Sequence, residues 1–262
     1  MRVAVLNDIH GNLPALEAVL QEVRREGADQ IVVGGDVLPG PMPRETLALL
    51  LNLDLPVHFL YGNGELAVLA QMTASDPSVV TYWGVSGGGT LPEQFREPIR
   101  WTARQLPQYE SLLAGWPKTV SLQIDGLGDV LFCHATPRSE TEIFFEHTAV
   151  EKLRPVFAGV NASLVVCGHV HMQFDRMVEK IRVVNAGSVG MPFGPSGADW
   201  LLLGPDVQFR HTSYDLEKAA ARVRATGYPQ AREFAETNIL NPPSKQKMLE
   251  AFASAELIEK FS

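Results

Sequence analysis

The sequence predicts an α/β fold built around a parallel sheet, and three observations carry that prediction. Short β-branched runs alternate with amphipathic stretches through the first sixty residues. A second series of strand-like runs, with a hairpin signal, follows in the later half. The runs end in Asp, Asn and His beside glycine, the chemistry expected of loops gathered at one edge of a sheet.

Each element follows from local pattern. Val3-Ala4-Val5-Leu6 reads as a buried strand. Leu16, Val19, Leu20 and Val23 then fall at i, i+3, i+4 and i+7, one face of a helix. Asn12 is placed to cap that helix, Pro14 sits in its first turn where a missing N–H costs nothing, and Gly27 ends it. Residues 31–33 form the second strand, 46–51 the second helix and 57–60 the third strand. This order implies parallel strands with functional loops at their carboxyl ends. From about 65 to 117 the rhythm breaks. A helix at 65–73, the run Ser86-Gly87-Gly88-Gly89 and a helical stretch with Trp101, Leu106, Leu112 and Trp116 read as an insertion leaning over the body. Val120-Ser121-Leu122 and Val130-Leu131-Phe132 lie either side of Asp125-Gly126, a hairpin signal. Strands at 164–167, 182–184, 200–203 and 207–211 make the second half antiparallel in places. The tail is helical at 216–225, 228–237 and 244–260. Residues 1–213 are thus expected to form the main domain, with 214–262 a helical extension packed on it.

Composition narrows the function classes. The chain has 262 residues, 45% hydrophobic and 20% charged, enough for a sizeable core and too apolar for general disorder. Its net charge of −8 lies wholly in residues 1–213, because residues 214–262 hold seven Lys and Arg against seven Asp and Glu. So acidic a body argues against a stable nucleic-acid complex or adhesion to an anionic membrane. Two cysteines cannot build a disulfide framework. Residues 2–6 are too short for a signal h-region, and no apolar run is long enough to span a bilayer. A soluble, cytoplasmic protein is expected.

Five strand ends in succession deliver metal-binding side chains: Asp8 and His10, then Asp36, Asn63, His134, and finally His169 and His171. Seven ligands are too many for one ion and suit two that share a carboxylate. Carboxylate, imidazole and amide oxygen fit manganese, iron, nickel, cobalt or zinc, and the absence of sulfur argues against a structural zinc knot. Four of the seven histidines stand at strand ends, more than core packing explains. Gly35, Gly62 and Gly168 each precede a ligand, where the backbone must turn sharply or come close.

Taken in order, Asp8-x-His10, Gly35-Asp36, Gly62-Asn63, the isolated His134 and Gly168-His169-x-His171 resemble the calcineurin-like metallophosphoesterase superfamily over roughly residues 2–211. The run from Asn185 to Gly190 resembles a turn of its small bacterial and archaeal phosphodiesterase-like branch. The resemblance implies a four-layer α/β/β/α sandwich of two mixed sheets with the metal site at the strand ends. It implies one ion on Asp8, His10 and His171, a second on Asn63, His134 and His169, and Asp36 bridging. Two divalent ions about 3.5–4 Å apart, manganese foremost, would clamp a phosphate ester and share a hydroxide placed for in-line attack. They outweigh the two carboxylates, so an anionic small-molecule substrate is compatible with an acidic protein.

One motif departs from the pattern. Many relatives read G-N-H-[D/E], whereas this chain has Gly62-Asn63-Gly64-Glu65. Without that histidine the leaving group is protonated from elsewhere or is a good one, which leans the expectation towards phosphodiesters. The G-D-x-x-D-R-G of protein phosphatases is also absent, with Gly35-Asp36-Val37-Leu38-Pro39-Gly40 in its place. Further catalytic candidates are Arg138 and Asn12 as phosphate contacts and His147 as a distal acid. Their bland counterparts are a surface arginine, a helix cap and an exposed histidine. Glu65 reads as a first-turn helix acid, and Cys133 and Cys167 as core residues. Gly87-Gly88-Gly89 is no P-loop, since no Gly-Lys-Ser/Thr follows. Two other functions fit these motifs. A dinucleoside polyphosphate hydrolase would use Trp83 or Trp101 to stack adenine, and an inactive scaffold would be expected to lose ligands that are all present here. The tail either covers the body or makes a homo-oligomer contact.

Overall fold

The structure, a computed structural model, describes residues 1–73, 93–253 and 256–257. Among them, ten strands form two five-stranded sheets. In the first, β1 (Val3–Leu6), β2 (Gln30–Val33) and β3 (Val57–Phe59) run parallel, and β9 (Ala198–Leu203) and β10 (Val207–Thr212) extend it antiparallel beyond β1. In the second, β4 (Thr119–Ile124) and β5 (Gly128–Cys133) form the expected hairpin. Next to β5 come β6 (Leu164–Cys167) and β8 (Ile181–Ala186) in parallel, with β7 (Gln173–Val178) antiparallel at the edge.

Side-chain alternation sorts the apolar residues into layers. Val3, Val5 and Val32 of the first sheet meet Val130, Phe132, Val166 and Val184 of the second in a dry core between them. The opposite faces carry Ala4, Leu6, Ile31 and Val33 towards α1 (Leu13–Arg25) and α2 (Pro43–Leu51), and Val165, Cys167 and Val183 towards α6 (Val150–Phe157) and α9 (Lys245–Phe252). The result is the α/β/β/α sandwich. The helix 1 face is the one read from the sequence: Leu16, Val19, Leu20 and Val23 are all buried.

The insertion is less separate than its pattern implies. Val68 of α3 (Asn63–Thr73), Ile99 of α4 (Glu93–Gln105) and Leu113 of α5 (Glu110–Ala114) lie in the same core as Leu16 and Trp200. Trp116 stacks on Phe59 at 4.7 Å. The Ser86-Gly87-Gly88-Gly89 run and Trp83 lie outside the described residues. In the tail, α7 (Leu216–Arg224), α8 (Ala231–Phe234) and a π-helical turn (Ala235–Leu240) pack Ala220, Val223, Phe234 and Ile239 around Leu13 and Met42.

Three expectations need correction. β7 and α6 were not anticipated: the charged pair Asp175-Arg176 interrupts the strand pattern, which an edge strand tolerates because one side meets solvent. The helix expected over 244–260 ends at Phe252, and Glu256 instead bridges to Ile143 while Leu257 N donates to Ile143 O at 2.9 Å. Among the described residues no helix is long and apolar enough to cross a membrane.

Candidate metal centre

The carboxyl ends of β1, β2, β5 and β6 converge on one edge of the sandwich, and the backbone there is strained. Asp8, His10, Asp36, His169 and His171 all adopt left-handed conformations, with φ between 48° and 69°. For a residue with a Cβ this costs about 1–2 kcal/mol, and clusters of such residues mark functional sites. Hydrogen bonds across the two sheets hold the strained turns. Asp8 N donates to Gly35 O at 3.1 Å and His10 N to Asp36 O at 2.9 Å. From the second sheet, Ser188 Oγ and Gly190 N both donate to Asp8 O, at 2.7 and 3.0 Å, while Asn185 Nδ2 donates to Gly168 O at 2.5 Å. The 185–190 turn thus bolts the end of β1 to the end of β6. Gly62 and Gly168 permit this closeness, since a β-carbon on either would overlap the carboxylate of Asp36 or Asp8.

All seven sequence-derived ligands are buried, and they come together. Asp8 Oδ1 lies 3.3 Å from His171 Nε2, and His10 Nε2 lies 3.2 Å from the same atom. Asp36 divides its oxygens: Oδ2 is 3.7 Å from His10 Nε2 and Oδ1 is 3.5 Å from His134 Nε2. The Asn63 side-chain amide lies between His134 Nε2 at 3.0 Å and His169 Nδ1 at 2.9 Å. Among the described residues, two groupings bring their donor atoms close enough to hold a metal ion, Asp8 with His10 and His171, and Asp8 with Asp36 and His134. Asp8 therefore faces both halves of the cluster, a sharing that motif order alone did not indicate.

The imidazoles are oriented from behind. His134 Nδ1 donates to Gly34 O and His171 Nδ1 to Met191 O, both at 2.9 Å, which leaves each Nε2 lone pair facing inward. Burial, reinforced by neighbouring imidazoles, pushes His10 and His169 down to about 3, so both imidazoles are neutral at pH 7. Burial opposes ionisation of Asp8, yet His171, His134 and His10 together bring it down to about 2. Asp36 goes the other way, raised well above the usual carboxylate range by burial and by the Asp8 charge. One observation shows that this donor set fits divalent cations: Asp8 Oδ1 is buried yet accepts no hydrogen bond.

The remaining candidates resolve into supporting roles. Asn12 is fully buried, with Oδ1 accepting from Ala15 N at 3.3 Å as a helix cap and Nδ2 donating to Gly190 O at 2.8 Å. Its amide is thus committed within the fold rather than offered to a phosphate. Arg138 pairs with Glu142 at 2.6 Å on a half-exposed surface. His147 stacks on Phe145, His58 bonds Gln30, and His211 bonds Asp199 at 2.7 Å. Trp101 meets Tyr228 edge-on at 5.4 Å. Cys133 and Cys167 are buried beneath the helical layer, and burial pushes the Cys133 thiol up to about 12.

Glu65 is the residue that sequence reasoning undervalued. Its carboxylate is fully buried and accepts from Asp36 N at 2.8 Å, Gly62 N at 2.7 Å and Leu38 N at 3.0 Å. It ties the loop after β2 to the loop after β3. The signal was faint: an acid in a helical first turn, followed by the apolar Leu66-Ala67-Val68.

Comparison with known proteins agrees with this geometry. Residues 1–204 match the calcineurin-like phosphoesterase superfamily domain. The uncharacterized protein MJ0912 of Methanocaldococcus jannaschii is 26% identical over 249 residues, covering 87% of this chain and 94% of that protein. Two solved structures share the fold. Hypothetical protein PH1004 from Pyrococcus horikoshii OT3 has a TM-score of 0.72 at 21% identity, covering 93% of this chain and 99% of that one. A metallophosphoesterase from Sphaerobacter thermophilus has a TM-score of 0.68 at 24% identity, covering 91% and 100%. A domain match over most of the chain, on a sandwich whose strand ends gather all five motifs, means that this chain belongs to the calcineurin-like phosphoesterase superfamily.

Proposed function

We propose that this protein is a phosphoesterase dependent on two divalent transition-metal ions and that phosphodiesters are its substrate class. The observation that carries the reading is Asp36, whose two oxygens face His10 on one side and His134 on the other, as a bridging carboxylate requires. Asp8, His10 and His171 would hold one ion, and Asn63, His134 and His169 the other. Manganese suits this set of oxygen and nitrogen donors. Bound ions supply Lewis acidity to phosphoryl oxygens and make water acidic enough to attack near neutral pH. The chain contributes preorganisation: neutral imidazoles already turned inward by Gly34 and Met191, on turns that hydrogen bonds lock.

The diester preference rests on Gly64. Its N–H donates to Asp36 Oδ1 at 2.6 Å, and a β-carbon there would overlap the Leu38 carbonyl oxygen. The position therefore gives Asp36 a backbone donor in place of a side-chain acid for the leaving group. A doubly charged monoester would miss an imidazole partner there more than a singly charged diester would.

The test is a substrate panel of a bis-aryl phosphodiester, an aryl monoester and a dinucleoside tetraphosphate, with the ion-free protein loaded in turn with Mn, Fe, Ni, Co or Zn. Turnover of the diester at least equal to that of the monoester is expected. A strong monoester preference overturns the diester reading. No bound metal and no turnover on any substrate overturns the enzyme reading and favours an inactive scaffold. Nothing at Trp101, engaged with Tyr228, favours a stacked adenine.

A further inference from the structure

We infer that the C-terminal segment 240–252 is a positioning element of the metal centre, acting on His171 through Phe193 and Phe252. The inference rests on the two-ion reading above. His171 has a strained backbone, with φ of 55°, and its ring is held at two places. Its edge donates to Met191 O at 2.9 Å, and its face stacks on Phe193 with centroids 5.1 Å apart and planes 28° apart. Both supports belong to the 191–196 loop, which has no regular secondary structure of its own.

What braces that loop from outside is the C-terminal segment. Gly194 N donates to Pro243 O at 3.0 Å, and Ser196 Oγ donates to Leu240 O at 3.1 Å. Phe252 of α9 then sets its ring 6.2 Å from Phe193 and, on its other side, 6.3 Å from Phe145. The far end is anchored too. Thr148 Oγ1 donates to Glu256 Oε1 at 2.5 Å, and Arg176 Nη1 donates to the carbonyls of Phe145, Glu146 and Thr148. The line His171–Phe193–Phe252–Phe145 thus runs from a ligand to a braced wall. The segment lies beyond residue 204, where the superfamily domain match ends.

The geometry makes an asymmetric demand. Among the described residues the line reaches the cluster through His171, in the grouping with Asp8 and His10, while His134 is held by Gly34 O inside the sheets. Partners that orient a metal-bound imidazole are typically worth about 10–100-fold in metal affinity. A loss confined to one ion is therefore the signature of positioning, and a loss of both in step with melting temperature is that of mere stability.

The experiment is calorimetric titration of the ion-free full chain with Mn²⁺, paired with electron paramagnetic resonance of the coupled pair. Wild type is expected to take up two ions. Phe252→Ala should weaken one of them by about tenfold and leave the other unchanged, and Phe252→Leu should restore most of the loss by keeping apolar bulk. Ser196→Ala, which removes one brace without touching the aromatic line, should show the same asymmetry at smaller size and guards against misfolding of the first variant. Wild-type affinity for both ions in Phe252→Ala, or equal weakening of both, overturns the proposal and leaves the two-ion reading standing. If wild type takes up no Mn²⁺, the two-ion reading fails instead. The clamp is then judged from the His171 imidazole ¹⁵N shifts of the ion-free protein, which Phe252→Ala must move for it to survive.

Discussion

The edge of the sandwich that gathers the ligands and the helical layer formed by residues 216–240 are built on opposite terms. At the edge, five ligand residues hold left-handed backbones, and carboxylates and imidazoles are buried against one another. In the layer, Ala219, Ala220, Val223, Phe234 and Ile239 bury apolar surface on α- and π-helical backbone, and none has a positive φ. The edge is costly to fold and gains its value from what it binds, while the layer gains stability from burial alone. Substitutions at the edge should accordingly cost activity far more than they cost folding, and substitutions in the layer the reverse.

Asp36→Asn should show the largest effect. It keeps shape and removes the charge that faces both halves of the cluster, so kcat/KM for a diester should fall about a thousandfold or more, the scale of a lost electrostatic contact in the transition state. The ion-free protein should melt no lower than wild type, because burial and Asp8 already disfavour ionisation of Asp36. A clear drop in ion-free melting temperature would contradict the comparison. Glu65→Ala comes next and blurs the boundary usefully. It strands three buried N–H donors on Asp36, Leu38 and Gly62, at about 1–3 kcal/mol each before relaxation. Denaturant unfolding should show a loss of about 4 kcal/mol, whereas Glu65→Gln, which keeps one acceptor oxygen, should lose less than half of that. Mn²⁺ affinity should fall at both ions, unlike the one-sided loss expected of Phe252→Ala.

The same contrast explains what could be read in the sequence. The residues that cluster at the edge were legible because strand ends are local: a short apolar run followed by Asp-x-His or Gly-Asp announces itself without knowledge of contacts. The first helix was legible because Leu16, Val19, Leu20 and Val23 repeat at helical spacing, and residues 164–167 because the run is short, apolar and closed by glycine. Long-range partners were not. Glu65 looks like any first-turn acid until Asp36 N and Leu38 N are seen to converge on it. Asn12 satisfies a cap rule locally, and only the fold shows its amide reaching Gly190, far along the chain. β7 was obscured by Asp175 and Arg176, which pair outward with Arg182 and with loop carbonyls. The line from His171 through Phe193 and Phe252 to Phe145 crosses four separate segments, and no spacing rule encodes it.

In the layer the expectation inverts. Phe234→Ala should cost about 3 kcal/mol of unfolding free energy by leaving a cavity among Tyr228, Val223 and Ile239. Below its melting temperature its kcat/KM should match wild type, and a fall comparable to that of Asp36→Asn would show the layer to be part of the site.

The smallest effect lies in alkaline pH. Tyr214, partly buried, and Tyr228, buried, lie where the layer meets the body. Burial pushes the Tyr214 hydroxyl up to about 12 and that of Tyr228 higher still. An acid whose folded pKa is raised stays protonated in the folded protein after the unfolded chain has ionised. The folded state therefore binds more protons above about pH 10, and stability falls as pH rises from there towards the folded value, by up to about 1.4 kcal/mol per pH unit for each tyrosine. Tyr214→Phe and Tyr228→Phe should each flatten that fall by one tyrosine's share, read as urea midpoints between pH 9 and 11. Phenolate absorbance should show each substitution removing one late-ionising tyrosine. Alkaline unfolding that survives both substitutions would place the weak point outside the layer.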